Sequence, residues 1–189
     1  MRSDGTSILW RRLDQPGHDS ARLTESQAGA ILEGTAVFSE AGLPCRLDYR
    51  IQCDAAWRTL SAHVTGWLEA TAIDLVIAAD AARAWTVNGQ PCPEVQGCED
   101  VDLSFTPATN LLPLRRLDLA VGRSAEVRSA WLQWPEVRLT PLVQRYHRRS
   151  ETAYDYESDI PDAEVFRAVL WVQPRGWVLD YAGLWQAET

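Results

Sequence analysis

The segment "CRLDYRIQCD" at 45–54 alternates without a fault, with Cys45, Leu47, Tyr49, Ile51 and Cys53 on one side and Arg46, Asp48, Arg50, Gln52 and Asp54 on the other. A period of two is the mark of a half-buried antiparallel strand. The stretch 61–70 repeats the pattern, setting Ala62, Val64, Leu68 and Ala70 against His63, Thr65, Trp67 and Glu69. "IDLVIAADAARAWTVNG" reads as a hairpin with strands near 73–79 and 83–88 and turn chemistry at Asp80 and Asn88-Gly89. Further strands are predicted at 98–105, 114–121, 126–134, 142–149 and 153–157. A closing pair follows in "VFRAVLWVQPRGWVLDYAGLW", turning at Pro174-Arg175-Gly176. Many short strands punctuated by Gly, Pro and Asp predict a mainly β protein, a many-stranded antiparallel sheet curled on itself.

Helical signals are few. Thr106 is a capping residue, Pro107 suits a first helical position, and Leu111, Leu112 and Leu114 give an apolar side. Pro113 weakens an uninterrupted helix. One short or kinked helix is therefore expected over about 107–116, against the concave side of the sheet and overlapping the 114–121 strand reading. The stretch 20–31 reads equally as helix or, because of Gly29 and Gly34, as strand and turn.

At 189 residues the chain fits a single domain over 1–189, long enough to bury a real core. Its 18 basic and 26 acidic residues leave a net charge of -8, which repels a phosphate backbone and speaks against a nucleic-acid partner. The one dense basic run, "QRYHRRS" with Arg145, His147, Arg148 and Arg149, reads as a solvated edge strand. The opening twenty residues hold no apolar stretch of signal-peptide length, and no eighteen-residue apolar run occurs anywhere, so no transmembrane segment is predicted and a cytoplasmic location is expected. Cys45, Cys53, Cys92 and Cys98 have neither zinc-site spacing nor the density of a disulfide scaffold, and read as reduced, packed thiols. Nine tryptophans against three phenylalanines suit sugars or amphiphile head groups, although filling the core accounts for most of them.

The sequence contains no G-x-S-x-G, Walker A, G-x-G-x-x-G or H-E-x-x-H motif. With His18, His63 and His147 dispersed, no metal site and no cofactor are expected. The informative stretch is "CEDVDLSFTPATNLLPLRRLDL" at 98–119. As a strand it would point Asp100, Asp102 and Ser104 one way and Val101, Leu103 and Phe105 the other. The two carboxyls would then stand about 6.6–6.8 Å apart, inside the broad span of glycosidase acid pairs. Neighbours on one strand project in parallel, however, so a catalytic partner would have to come from Asp54, Glu33 or Asp118. The same acids suit binding, accepting hydrogen bonds from sugar hydroxyls under an aromatic cover. A purely structural alternative is an ion pair of Asp100 or Asp102 with Arg115 or Arg116.

"CDAAW" at 53–57, "GCEDVDLSFTPATNLLPLRRL" at 97–117, Gln144 and Tyr146 in Q-x-Y, Tyr154 and Tyr156 in Y-x-Y, and the closing "GWVLDY" resemble the bacterial family named putative glycolipid-binding, formerly a domain of unknown function. The resemblance covers nearly the whole chain. It implies a spiral β-roll around a single α-helix, remotely like periplasmic lipoprotein carriers, a tight homodimer and an acidic pocket. The positions it carries over are Asp100, Asp102, Thr106, Thr109, Asn110, Arg115 and Arg116, together with Asp54, Trp57, Tyr146, Tyr154 and Tyr156. Without an export signal or a lipidation cysteine near the start, a cytoplasmic role in glycolipid handling fits better than periplasmic shuttling.

Two functions follow. One is a binding module that holds a glycolipid or sugar in the acidic pocket, with Asp100, Asp102, Asn110, Arg115, Arg116, Asp54, Tyr146 and Tyr156 as its ligand-binding residues. The other is a hydrolase acting on a carbohydrate or glycolipid through an Asp/Glu pair, one acid protonated by burial and the other ionised.

Overall fold

The computed structural model describes residues 6–160 and 163–188, so residues 1–5 of the opening segment read above for a leader lie outside it. Eight strands form a continuous antiparallel meander: β1 (Thr6–Arg12), β2 (Gly17–Ser26), β3 (Gly29–Glu40), β4 (Leu43–Asp54), β5 (Thr59–Leu68), β6 (Thr71–Ala79), β7 (Trp85–Val87) and β8 (Gln90–Pro91). Alternation carries them. In β4 the five predicted inward residues are buried while Arg46, Arg50 and Gln52 are exposed. Gly66 in β5 has φ +151, and a Cβ there would stand 2.0 Å from the Arg46 carbonyl oxygen, so the bend of this strand over β4 requires glycine.

From β8 the chain crosses to the opposite edge of the sheet. There it forms β9 (Val101–Leu103), a 3-10 turn at Pro107–Asn110 and α1 (Leu111–Leu117). It returns through β10 (Ser124–Gln133), β11 (Arg138–Ser150), β12 (Ala153–Asp159), β13 (Phe166–Val172), β14 (Val178–Tyr181) and β15 (Trp185–Ala187). β15 pairs with β1, giving one 15-stranded sheet that runs from β8 to β9 with β1 and β15 in its interior. Every pairing is antiparallel except that of β9 with β10, which is parallel.

The sheet curls around α1 without closing. Its margins are held by side chains instead of a ladder. The Val101 N–H donates to Thr59 Oγ1 at 3.0 Å, and the Arg83 guanidinium donates to the carbonyls of Thr59, Cys98 and Glu99 at 2.7, 3.0 and 2.7 Å. The β1/β15 seam is buttressed by tryptophan. Trp10 Nε1 donates to the Val178 carbonyl at 2.6 Å, Trp177 Nε1 donates to Thr6 Oγ1 at 2.9 Å, and the two rings meet edge to face at 5.6 Å.

Thr106, extended at φ −141, caps the helical segment by accepting from the Ala108 N–H at 3.0 Å. Pro113 falls in the first turn of α1, where a missing N–H costs nothing. Leu111 and Leu112 enter the main core with Phe105, Trp85 and Trp177. Each such fully buried large side chain contributes about 1.5–3 kcal/mol. Asp118, left-handed at φ 40, ends the helix.

Several expectations need correction. Residues 114–117 belong to α1 and 118–121 are in no strand, because the Thr106 cap and the buried Leu111, Leu112 and Leu114 fix the helical alternative. The helix reading of 20–31 gives way to β2, a turn and β3. The strand read at 98–105 shortens to Val101–Leu103 and that at 83–88 to Trp85–Val87, whereas β1 and β15 had no sequence signal named above. The basic run lies in β11, which has a neighbour on each side and is no edge strand. Its Arg145 is neutralised by Glu126 at 3.0 Å and Asp159 at 2.8 Å. Of the nine tryptophans, Trp10, Trp85, Trp177 and Trp185 are buried, whereas Trp67 and Trp171 are exposed.

Candidate functional site

β9 turns Val101 and Leu103 into the core and leaves Asp100 and Asp102 on its other face. Asp102 lines a cavity of about 150 Å³ beside the start of the helical segment. Its lining interleaves polar Asp102, Thr106, Asn110, Tyr156 and Ser158 with apolar and aromatic Trp131, Leu142, Phe166, Tyr181 and Trp185: Trp131 is the register neighbour of Asp102, and the Phe166 and Tyr181 rings meet Tyr156 edge to face. Inward alternation on β12 supplies Tyr156 and Ser158, and the capped turn supplies Thr106 and Asn110.

Gln144 on β11 organises the polar groups. Its Oε1 accepts from Ser129 Oγ at 2.7 Å, which orients Nε2 to donate to Asp102 Oδ2 at 2.7 Å and to the Tyr156 hydroxyl at 2.9 Å. Burial pushes the Asp102 carboxyl up to about 6, against the opposing pull of the Gln144 amide. Tyr146, wholly buried, packs on Tyr156 with centroids 5.1 Å apart and donates to Asn110 Oδ1 at 3.3 Å.

Thr106 links the cavity to a second buried acid. Asp19 on β2 is fully shielded from solvent and accepts from the Tyr49 hydroxyl at 3.0 and 3.2 Å and from the Thr106 hydroxyl. Burial pushes Asp19 up to about 7, with both hydroxyls opposing the rise. Tyr49 reaches Asp19 across Gly34, where a Cβ would stand 2.4 Å from the phenol oxygen.

Asp100 and Asp102 share a face of the chain but not a site. Arg116 clasps Asp100 with Nε to Oδ1 at 3.0 Å and Nη2 to Oδ2 at 2.5 Å, realising the structural alternative for that acid. Burial raises Asp100 above its ordinary value and the Arg116 fork opposes it. Arg115 faces another way, pairing with Glu25 at 2.7 Å and lying over the Trp57 ring at 4.5 Å. Asp54 accepts from the N–H groups of Ala56 and Arg58 at 2.9 Å each and so shapes the turn before β5. Of the carboxylates considered as catalytic partners, Glu33 pairs with Arg22 and Arg50, Asp118 ends the helix at a different cavity, and Asp54 holds its turn. None of them lines the cavity at Asp102.

The structure thus gathers Asp102, Asn110 and Tyr156 around one cavity with Tyr146 directly behind, and leaves Asp54, Arg115 and the Asp100–Arg116 pair outside its lining. Asp19, Gln144 and Ser158 join the network without having been singled out as site residues. Gln144 carried a signal, since it is a polar residue at the inward period of β11, and so did Asp19, which interrupts the inward register of Ala21 and Leu23. Among the described residues, no group of three or more His, Cys, Asp or Glu side chains is placed to hold a metal, and no helix is long and apolar enough to cross a membrane.

A family model described as "Putative glycolipid-binding" matches residues 7–187. The crystal structure of a DUF1089 family protein from Pseudomonas aeruginosa is similar, with a TM-score of 0.75 and 29% sequence identity, over 98% of this chain and 93% of that one. No curated protein matches.

Proposed function

The chain belongs to the putative glycolipid-binding family, and from that premise we propose that it is a non-catalytic carrier whose cavity at Asp102 receives the polar head of an amphiphile. The observation that carries this reading is the presence, in one small cavity, of hydrogen-bonding side chains beside aromatic and apolar surface. A head group with hydroxyls meets Asp102, Asn110 and Ser158 while its ring and the start of its apolar part lie against Trp131, Phe166 and Trp185, the usual division of labour in such sites. Gln144 and Tyr146 fix the polar groups before the ligand arrives, which lowers the ordering cost of binding. Among the described residues the lining holds no second carboxylate, which favours carriage over hydrolysis.

A second reading rests on Asp102 itself, because a carboxyl raised to about 6 is suited to general acid catalysis. It requires turnover of a glycoside that stops in Asp102→Asn, with a bell-shaped pH profile. In either reading the protein acts as a single-domain homodimer in the cytoplasm. Exposed Val37 and Trp67, which flank Arg46 in register across β3, β4 and β5, support the dimer.

The test is native mass spectrometry of gently purified protein, followed by organic extraction. A stoichiometric amphiphile that is absent from folded Asp102→Asn supports the carrier. Retention of the same amphiphile by that variant refutes the placement at Asp102.

A further inference from the structure

A larger cavity, of about 410 Å³, lies at the opposite end of α1. Trp57, Arg115, Asp118, Arg148, Glu151 and Tyr154 line it. Three features of its lining are relevant to binding. Trp57 sits at φ 66, a left-handed conformation that costs a bulky residue of order 1–2 kcal/mol where glycine would be free of strain. The turn enforces this conformation, since Asp54 accepts from both Ala56 and Arg58 while the Trp57 N–H donates to the Asp54 carbonyl at 3.0 Å. The result is a half-buried indole held at the cavity wall, steadied by the Arg115 guanidinium over its ring.

The second feature is a second aromatic–arginine couple in the lining. Arg148 lies 5.7 Å from the Tyr154 ring centroid and is fixed by donation to the carbonyl oxygens of Leu119, Ser150 and Glu151 at 2.5, 3.3 and 3.5 Å. The third is the pair of acids. Among the described residues, the exposed carboxylates of Asp118 and Glu151 have neither an ion-pair nor a hydrogen-bond partner, so both can exchange water for a ligand's donors at the cavity rim. Arg115 is already neutralised by Glu25. The lining therefore offers two free acceptors, two guanidinium donor groups and aromatic surface, with no excess of positive charge to select a phosphate.

Acceptors and donors interleaved beside aromatic rings match vicinal hydroxyls, each of which donates once and accepts through its lone pairs. We infer that the cavity lined by Trp57, Asp118, Arg148, Glu151 and Tyr154 is a binding site for a neutral hexopyranose ring. It is separate from the cavity at Asp102 and independent of the carrier reading. A free sugar and a lipid-borne sugar present the same hydroxyls, and the two sources are separated by experiment.

The probes are methyl gluco-, galacto- and mannopyranosides, followed by saturation-transfer NMR, and phosphatidylcholine vesicles with or without a monohexosyl diacylglycerol, followed by co-sedimentation. Asp118→Asn/Glu151→Gln removes both negative charges and turns one acceptor of each group into a donor while preserving size, and asparagine tolerates the left-handed conformation at 118. Circular dichroism and the thermal midpoint confirm that each variant is folded. The expected result is binding of at least one methyl hexoside, weakened roughly tenfold or more in the double variant. Binding confined to glycolipid vesicles and lost in the double variant also supports the site, with a lipid as the source. No binding to either probe, or binding that survives the double substitution, overturns it. Vesicle binding lost only in Asp102→Asn overturns this site while upholding the carrier reading.

Discussion

Replacing Asp19 by asparagine should make the protein less sensitive to pH. In the folded state burial holds this carboxyl at about 7 against an ordinary 3.8, so the native protein keeps a proton there that the unfolded chain has already released. Because the native state binds more protons across this window, the contribution of Asp19 to stability shrinks as pH rises above its unfolded value and is gone once pH passes about 7. At about 1.4 kcal/mol per tenfold change in proton affinity, the complete effect is about 4 kcal/mol, of which about 3 kcal/mol lies between pH 5 and pH 8. Asp102 titrates in the same direction, so the informative quantity is the difference between parent and variant at each pH. Asparagine imitates the protonated acid, with its oxygen free to accept from Tyr49 and its amide to donate to Thr106. Urea unfolding at pH 5 and pH 8 gives the comparison. With a slope of about 2 kcal/mol per molar urea, the parent midpoint should drop relative to Asp19→Asn by about 1–2 M over that interval. Parallel pH profiles would refute a buried, protonated Asp19, as would a variant destabilised equally at both pH values.

Four further outcomes follow from the same geometry. Arg116→Gln leaves Asp100 buried beneath a lost fork and should cost about 3–5 kcal/mol in urea unfolding, whereas Asp100→Leu/Arg116→Met should recover most of it. Gly34→Ala places a methyl group where the Tyr49 hydroxyl lies and should destabilise the fold by about 1–3 kcal/mol; because that hydroxyl opposes the rise at Asp19, its displacement should leave the pH dependence at least as large as in the parent. If Asp102 accepts hydrogen bonds from a ligand, retention of the extracted amphiphile should weaken as pH falls through about 6, toward the loss expected of Asp102→Asn at every pH. Among the thiols, part-exposed Cys92 should react first with a disulfide reagent, because Cys45, Cys53 and Cys98 are buried and burial pushes Cys53 to about 12 and Cys98 to about 11.

Strands with strict alternation were legible in the sequence. β4 matches its reading residue by residue, and the Thr106-Pro107 start locates the helix, because each depends on local periodicity or local capping. β1 and β15 were not legible, since a short strand that pairs across most of the chain leaves no local trace. The site divides in the same way. The 98–119 stretch pointed to Asp102 and Asn110, but alternation alone could not say that Asp100 is claimed by Arg116 while Asp102 turns to Gln144. That separation depends on β11 lying beyond β10. Asp19 was hidden for a related reason: a carboxylate among inward-facing residues looks like a break in the pattern until Tyr49 and Thr106 arrive from other elements to satisfy it.

The placement of β1 beside β15 also bears on how the molecule assembles. Most strand pairings are hairpins between consecutive strands, so each arm of the sheet can form by short-range zippering. The β1/β15 junction instead joins partners such as Trp10 and Ala187, in a register of three residue pairs. Such a closure carries a large chain-entropy cost before its few contacts compensate. The junction is therefore the natural last event of folding. The Trp10–Trp177 ring contact sits across it, so a stopped-flow fluorescence phase that is lost in Trp10→Phe and lags the circular dichroism signal would time the docking of the two arms.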